Sequence, residues 1–229
     1  MRRIVPIAVS GLLAIAACTD DGVNPIVTAA FDEVNPWKNT EDAPAEGVAP
    51  PNRAAIEKAD IATIRARLLA DERPSYLFAA SDNGGYITYT SSLRQSLTMR
   101  GSQVTGSRGL GFDLLSATSS QPDPLTRAIP VQQWPALVTR SYEFPADAPR
   151  GVIETFECRF EVGEPTELVI LQQRHQGYEI TEVCEGPSGA FENLHLADVR
   201  SGFVWRSIQW IGPQQGLIDV EIVLPYTGD

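Results

Sequence analysis

The sequence predicts a mainly β protein, built from one large, curved antiparallel meander sheet (a half-barrel or flattened barrel) with one N-terminal amphipathic helix. Two observations carry this prediction. From residue 75 onward, short segments rich in β-branched and aromatic residues follow one another, and clusters of turn-forming residues separate them. Within several of these segments apolar and polar residues alternate, which is the period of a strand with one buried face.

The leading helix is predicted over residues 54–70. Alanine and charged residues fill most of its positions, and Pro74 is expected to end it. Its apolar residues lie near helical spacing: Ile56, Ile61, Ile64, Leu68 and Leu69.

A series of strand-like segments follows the helix. Gly84-Gly85 indicates a hairpin turn, and further turns are expected at residues 145–149 and at Gly177. The last segment alternates clearly, so one of its faces is predicted to be buried and the other largely solvated. The predicted strand segments are residues 76–80, 86–90, 95–99, 101–107, 137–144, 152–162, 168–173, 178–184, 191–196, 203–211 and 217–224.

The N-terminus predicts export. Two arginines precede an apolar stretch that is too short for an ordinary transmembrane helix. Residues 15–18, Ile-Ala-Ala-Cys, resemble a bacterial lipobox, so Cys18 is predicted to be the lipidated first residue of the mature protein. The alternative is an ordinary signal peptide that is cut nearby.

These features divide the chain into a lipoprotein signal peptide (1–17), a lipidated flexible tether (18–52) and a β domain with its leading helix (53–229). The tether is rich in proline and poor in large apolar residues. Two or more acyl chains give lasting membrane attachment, whereas one chain holds a protein only marginally. Thr19 follows Cys18, where enterobacteria-like sorting to the inner membrane uses aspartate, so the expected location is the outer membrane, facing the periplasm.

The charge of the chain argues against nucleic acid as a partner. The formal net charge is −11, and loss of Arg2 and Arg3 with the signal peptide leaves 16 Lys and Arg against 29 Asp and Glu, or −13. Phosphate backbones are bound by clustered Lys and Arg. An acidic surface mostly indicates solubility.

Cys158 and Cys184 remain after Cys18 and are expected to form one disulfide in an oxidising compartment. Each lies in phase with the apolar residues of an alternating segment, so both thiols are expected to point into one buried layer. Two free buried thiols are the alternative.

The last two thirds of the chain contain a series of short motifs. They are Asp123-Pro124-Leu125, Trp134, Asn193 after an aromatic residue and Glu, Asp198 with Ser201-Gly202, Val204-x-x-Ser207-x-Gln209, Gly212-Pro213 and Glu221. In this order and spacing they resemble the YjbF/GfcB family of lipoproteins, which is linked to capsule and exopolysaccharide production. The resemblance spans most of residues 75–225, while the cysteine pair lies outside the family pattern.

The physical interpretation of these motif residues is structural, although a binding role is also compatible with them. Asp198 can cap the backbone amides of a hairpin turn in which Gly202 takes a positive φ. Asn193 can bond to backbone at a strand end, and Gly212-Pro213 interrupts the sheet before the last strand. None of these roles requires chemistry.

No catalytic residue, metal site or cofactor site is predicted. The two histidines, His175 and His195, form no metal-binding cluster, and His175 is expected to be exposed. His195 with Asp198 and a nearby Ser201 or Ser207 lacks the Gly-x-Ser-x-Gly elbow of a hydrolase. Trp205 and Trp210 are expected on opposite faces of one strand.

The resemblance implies a non-enzymatic accessory factor in capsule or exopolysaccharide assembly or export. Its expected partners are a membrane, through the lipid anchor, and polysaccharide export proteins or the polysaccharide itself. One alternative is a periplasmic lipid- or glycan-binding module. A glycan-acting hydrolase is a weaker alternative.

Overall fold

A computed structural model of the protein describes residues 52–71, 73–146 and 151–228. The predicted signal peptide, Cys18 and the tether as far as residue 51 lie outside the described residues. So does most of the predicted turn at 145–149.

The described residues form twelve antiparallel strands in one sheet, after one short α-helix, α1 (Arg53–Ala59). A 3-10 turn (Val131–Gln133) lies between the sixth and seventh strands. The strands are β1 (Thr63–Leu68), β2 (Ser75–Asn83), β3 (Tyr86–Thr90), β4 (Ser96–Arg100), β5 (Gln103–Arg108), β6 (Ser116–Ser119), β7 (Val138–Phe144), β8 (Val152–Ile170), β9 (Gln173–Gly186), β10 (Gly189–Asp198), β11 (Val204–Trp210) and β12 (Leu217–Leu224).

The sheet is an up-and-down meander that nearly closes into a barrel, so the predicted fold class is confirmed. The order is β5-β4-β3-β2-β1-β12-β11-β10-β9-β8-β7-β6. The first and last strands pair with each other, while β5 and β6 form the two edges and lie side by side. Across this second seam the Ser107 N–H donates to Leu114 O at 2.9 Å. Near-closure therefore covers edges that would otherwise be open to pairing.

The predicted helix over 54–70 is wrong in its C-terminal half. Asp60 adopts a left-handed conformation (φ 51°), and its N–H donates to the Ile56 and Glu57 carbonyls, which ends α1. The chain then continues as β1, paired with both β2 and β12. Residues 64, 66 and 68 also fit a period of two, and pairing with two neighbouring strands selects that period over the helical one.

The prediction that one face of β12 is solvated is also wrong, because β12 is buried on both faces. The β8–β9 hairpin changes register at Val162/Pro165. Beyond that point Leu168 and Ile170 pack with Ile56 of α1 against Leu196 and Val223 of the sheet. The Arg53 guanidinium holds α1 against the end of the β8–β9 hairpin by donating to the Ile170 and Leu171 carbonyls.

The predicted turn at Gly177 lies instead at Leu171-Gln172, both of which have positive φ. Gly177 is inside β9, and a Cβ atom there would lie 2.4 Å from the Ala197 carbonyl oxygen. The glycine therefore marks a close approach of two strands, which sequence alone does not separate from a turn.

One cluster of aromatic rings fills part of the interior. Ring centroids of contacting pairs are 4.5–6.4 Å apart, mostly edge to face, for Tyr142, Phe144, Phe156, Phe191 and Trp210. The Cys158–Cys184 disulfide joins directly opposed residues of β8 and β9 in the same cluster of buried residues. In the chain-entropy model, closing a loop of 26 residues stabilises the fold by roughly 3–4 kcal/mol.

Among the described residues, no helix has both the length and the apolar character needed to cross a membrane.

Candidate functional site

A fully buried ion network lies inside the sheet and is centred on Arg140 of β7. Its Nη1 and Nη2 donate to Asp123 Oδ2 and Oδ1 at 2.8 and 3.2 Å. Its Nε donates to Glu182 Oε1 of β9 at 2.6 Å. Arg140 and Asp123 are each 1% exposed and Glu182 is 0% exposed, so solvent does not screen these interactions.

Glu182 also joins two residues of β10 to the network. Asn193, directly opposite in the sheet, donates from Nδ2 to Oε2 at 2.7 Å. His195 Nε2 lies 3.2 Å from the same oxygen, and His195 Nδ1 has no hydrogen-bond partner among the described residues. The Asn193 side-chain oxygen accepts from the Trp210 N–H at 2.7 Å, so the network reaches the start of the turn after β11.

Charge compensation sets the protonation of this network. Burial alone raises the pKa of Glu182, but Arg140, together with His195 and Asn193, outweighs it and lowers the pKa to about 2. Burial lowers the pKa of Arg140, and the two carboxylates outweigh it, so that pKa is raised. Arg140 and Glu182 are therefore both ionised at neutral pH. Asp123 pairs with the other side of the same guanidinium, and we call Asp123, Arg140 and Glu182 the ion triad.

The triad positions the connection between β6 and β7. Asp123 is in this connection, which contacts the β4–β5 turn and the β10–β11 turn. On one side Ser102 donates its N–H to Leu125 O at 2.8 Å. On the other, Gly202 lies so close to Ile129 that a Cβ atom would be 1.8 Å from the Ile129 carbonyl oxygen.

Two of the residues considered for a hydrolase, His195 and Ser207, lie opposite each other, and the acid beside His195 is Glu182 instead of Asp198. The register places Ser207 opposite His195, which lies beside Glu182. Ser207 Oγ, however, accepts a hydrogen bond from Gln209 Nε2 at 2.6 Å, and Ser207 is 2% exposed. Asp198 is instead in the β10–β11 turn, where it bonds to Ser201. A nucleophile needs substrate access, and this arrangement holds its serine inside the fold.

Gln209 connects opposite parts of the sheet. Its Oε1 accepts from the Val104 N–H at 3.1 Å, and its Nε2 donates to Ser102 O at 2.7 Å. The amide therefore bonds to the backbone of edge strand β5 as a neighbouring strand would. Gln209 thus ties edge strand β5 to β11.

The remaining motif residues of the loops have structural contacts as well. Asp198 Oδ1 accepts from the N–H groups of Arg200 and Ser201 at 3.0 and 2.8 Å, and Gly202 has φ +71°. Trp134 Nε1 donates to Ile129 O at 2.9 Å. The other members also contact the core: Pro124 and Leu125 are buried, and Gly212 packs against Phe144.

Glu221 belongs to a second charged cluster, which is formed by side chains of the adjacent strands β1, β12 and β11. Arg65 of β1 donates from Nε and Nη2 to its two carboxylate oxygens, both at 2.8 Å. The neighbouring Asp219 accepts from Nε and Nη2 of Arg206 at 2.8 and 2.7 Å. Arg67 donates to Asp219 Oδ2 at 3.2 Å. Of these side chains, Arg65, Arg67, Asp219 and Glu221 line a shallow cleft together with Pro74, and we call the lining residues the arginine cleft.

One group in the described part of the chain has metal-ligand spacing. Donor atoms of Cys158, Glu182 and Cys184 lie within 4.8 Å of one another. Both sulfur atoms are bonded to each other, so they do not supply thiolate ligands in this form. Glu182 already compensates Arg140.

The predicted exposure of His175 is wrong. It lies in β9 on the inward face of the hairpin, 5% exposed, with its ring centroid 4.0 Å from that of Trp205. Burial lowers the pKa of His175, and the positive charge of Arg53 lowers it further. The negative charge of Asp198 acts in the opposite direction. Trp205 and Trp210 contact different neighbours: Trp210 belongs to the interior aromatic cluster, and the half-buried Trp205 also contacts Phe203.

Sequence reasoning missed Arg140, Glu182 and the three arginines that pair with Asp219 and Glu221. A signal for the first two exists in the chain. Arg140 is in phase with Val138 and Tyr142, and Glu182 is in phase with Ile180, so both charges occupy positions where the strand pattern demands apolar residues. A charge at such a position predicts a buried partner, since an unpaired buried charge is costly.

Fold and site together define a near-barrel β domain in which a buried ion triad holds the β6–β7 connection and a buried amide ties edge strand β5 to β11. The chain belongs to the family described as group 4 capsule polysaccharide lipoprotein gfcB, YjbF, whose family model matches residues 44–223. The predicted family is thereby confirmed.

A solved structure shares the fold. The crystal structure of the hypothetical lipoprotein YmcC from Escherichia coli (K12) superimposes with a TM-score of 0.66 at 18% sequence identity. The match covers 76% of this chain and 89% of that chain. No curated protein matches the chain in sequence.

Proposed function

We propose that the protein is an outer-membrane-anchored periplasmic lipoprotein that serves as a non-enzymatic accessory factor in capsule or exopolysaccharide assembly or export. Membership of the capsule polysaccharide lipoprotein family over residues 44–223 is the observation that carries this proposal. The expected contacts are the membrane, through acyl chains on Cys18, and export proteins or the polysaccharide.

The contacts of the motif residues support a role without catalysis. Asp123, Asn193 and Gln209 each bond to partners inside the fold, and their hydrogen-bonding groups are engaged in holding strands and loops. A catalytic group needs contact with substrate and a proton or charge to contribute to it. The charges of the ion triad compensate one another inside the fold.

Deleting the gene and measuring secreted polysaccharide tests the proposal. We expect the deletion to reduce secreted polymer strongly and a plasmid copy of the wild-type gene to restore it. A Cys18→Ser form, which cannot be lipidated, is expected to restore secretion poorly, because acyl chains supply the membrane attachment. Western blotting of membrane and soluble fractions provides the control for its amount and location.

Normal secretion in the deletion strain would contradict the assigned function. Full restoration by Cys18→Ser at wild-type levels would show that anchoring is dispensable, and would contradict the anchored role alone.

A further inference from the structure

The three most exposed large apolar side chains of the described residues lie at one end of the near-barrel. They are Leu93 in the β3–β4 turn, Ile153 at the start of β8 and Phe112 in the β5–β6 connection, with exposed fractions of 71, 66 and 61%. Leu115 and Val152 are exposed beside them. We call these five residues the apolar rim. Grouped exposed apolar side chains mark contact sites, because their hydration costs free energy.

The apolar rim runs across three neighbouring connections. A Cβ atom on Gly109 would lie 2.9 Å from the Arg94 carbonyl oxygen, so the β3–β4 turn and the β5–β6 connection are in contact. The Leu115 N–H donates to Glu143 O at 2.9 Å, and Glu143 is paired with Ile153. The rim therefore forms an arc around the seam between β5 and β6.

Hydrogen bonds within the turns hold Leu93 and Phe112 outward. Ser91 Oγ accepts from the Leu93 N–H at 3.2 Å. The carboxylate of Asp113, next to Phe112, accepts from the Ser107 hydroxyl and from two backbone N–H groups at 3.0–3.1 Å. These polar groups are engaged inside the turns, so each tip offers an apolar side chain for contact.

The described part of the chain begins at the opposite end of the near-barrel. Helix α1 leads into β1, whose first residue, Thr63, is paired with Leu224 at the end of β12. The rim lies near the other end of β12, where Gln215 of the β11–β12 turn donates to the Leu110 carbonyl of the β5–β6 connection. The segment that joins the domain to Cys18 is therefore attached far from the rim.

That segment is long enough for the rim to face the membrane. Residue 52 follows Cys18 by 34 positions (52 − 18 = 34). A chain of this length reaches up to about 115 Å when fully extended. The eight residues of β12 span only about 27 Å along the sheet. A lipid anchor on Cys18 is thus compatible with either end of the domain at the bilayer.

We propose that the apolar rim enters the surface of the membrane that holds the lipid anchor, while the α1 end of the domain points away from it. This inference rests on the proposed anchoring of the protein. A fluid acyl layer accommodates single apolar side chains that project from separate turns. The anchor keeps the rim at a high local concentration near the bilayer, so a weak insertion is sufficient to orient the domain.

Charged side chains near the rim are compatible with this orientation. Arg94 and Arg108 are exposed in the same part of the fold, and an arginine can lay its stem along apolar groups while its guanidinium reaches the headgroups. The carboxylates of Asp113, Glu143 and Glu154 accept hydrogen bonds from serine hydroxyls of the domain.

Tryptophan fluorescence of the lipidated protein in vesicles with brominated acyl chains tests the inference. The vesicles contain phosphatidylethanolamine and phosphatidylglycerol. Bromine quenches a tryptophan only at close range, so quenching reports entry into the acyl region. Phe112→Trp and Leu93→Trp are the rim reporters. Ile61→Trp, at an apolar position 43% exposed between α1 and β1, is the matched control at the opposite end.

The fluorescence of the added tryptophan is taken as the difference from wild type. We expect brominated lipids to lower it about twofold or more in both rim reporters, and less than about 1.2-fold in Ile61→Trp, because only the rim reaches the acyl chains. Unchanged thermal unfolding would show that each variant is folded, and two rim reporters keep the test valid if one of them is not.

Three results would overturn the inference. They are attached protein, shown by vesicle flotation, in which no folded rim reporter is quenched, equal quenching of Ile61→Trp, and a blue-shifted rim tryptophan without quenching, which would indicate that a second copy of the protein covers the rim. The proposed function fails separately, through normal secretion in the deletion strain. Attached protein with unquenched rim reporters would leave the anchored accessory role standing.

Discussion

Replacing Arg140 by Met is expected to destabilise the protein by about 3–5 kcal/mol. Removal of one partner leaves the carboxylates of Asp123 and Glu182 buried without a counter-charge, and an unpaired buried charge is among the costliest defects in a core. Chemical denaturation of the purified protein would give the free energy of unfolding. Methionine has a similar length, which keeps the cavity contribution small.

Two comparison variants separate this effect from the loss of any arginine. Arg159, with a side chain 54% exposed, pairs with the exposed Glu185 at 3.5 Å, so Arg159→Met should cost no more than about 1 kcal/mol. The triple variant Arg140→Met, Asp123→Asn, Glu182→Gln should recover much of the lost stability, because it removes the buried charges together. An Arg140→Met protein as stable as Arg159→Met would contradict the ion triad.

Acid should bring the wild type and Arg140→Met closer together in stability. The pKa of Glu182 in the folded wild type is lowered to about 2 from an ordinary value of 4.5, so its stabilising contribution is complete above pH 4.5. This contribution is lost as pH falls from 4.5 towards 2. Without Arg140, burial raises the pKa of Glu182, and its protonation relieves the cost of a buried charge. A stability difference that stays constant between pH 7 and pH 3 would exclude this account.

Replacing Gly202 by Ala is expected to cost about 3 kcal/mol. Its φ of +71° disfavours any side chain, and the new Cβ would lie 1.8 Å from the Ile129 carbonyl oxygen. That oxygen is backbone, so the β6–β7 connection would have to move away from the β10–β11 turn. Thermal or chemical unfolding of the variant would measure the cost.

Gly216 offers a control with the same backbone and no close neighbour. Its φ is +68°, and a Cβ atom there would have nothing within 4 Å. Both glycines close a turn by donating to the carbonyl four residues earlier, Gly202 to Asp198 and Gly216 to Gly212. Gly216→Ala should therefore cost about 1 kcal/mol, the strain of the positive φ alone. Equal costs at the two positions would mean that the contact with Ile129 has no energetic role.

The sheet could be predicted from sequence because the signals for its strands and turns lie in short segments of the chain. Residues a few positions apart determine the hairpin at Gly84-Gly85 and the strand that ends in Asp198. They also show that Cys158 and Cys184 each share a face with apolar neighbours, which favours the disulfide. Alternation reports which residues share a face, and turn residues report where the chain reverses.

Most errors arose where distant elements decide the structure. Strand β1 exists because β2 and β12 pair with it, and both lie elsewhere in the chain. The second face of β12 is buried by a hairpin and a helix that precede it by many residues. Arg65 and Glu221, 156 positions apart, show a pair that only this topology brings together. Such pairings have no local signal, so tertiary contacts override the local pattern.

The triad and the aromatic cluster also bear on the alternative of lipid carriage. Part of the interior of the near-barrel is occupied by rings in contact and by fully buried ions. A lipid bound at that level would have to displace side chains that are packed against one another, at the cost of their mutual contacts.

The proposed function requires the protein to support polysaccharide production without a reactive group of its own. In the described part of the chain, Ser207, His195 and Glu182 form an arrangement that resembles a catalytic one, so we would test Ser207→Ala in the deletion strain. The serine hydroxyl contributes one hydrogen bond to Gln209, and its loss should leave a folded protein, as circular dichroism and western blotting would verify. We predict that Ser207→Ala restores polysaccharide secretion to the wild-type level. A folded, normally abundant Ser207→Ala protein that leaves secretion as low as in the deletion strain would show that the serine hydroxyl is needed and that the non-enzymatic role is wrong.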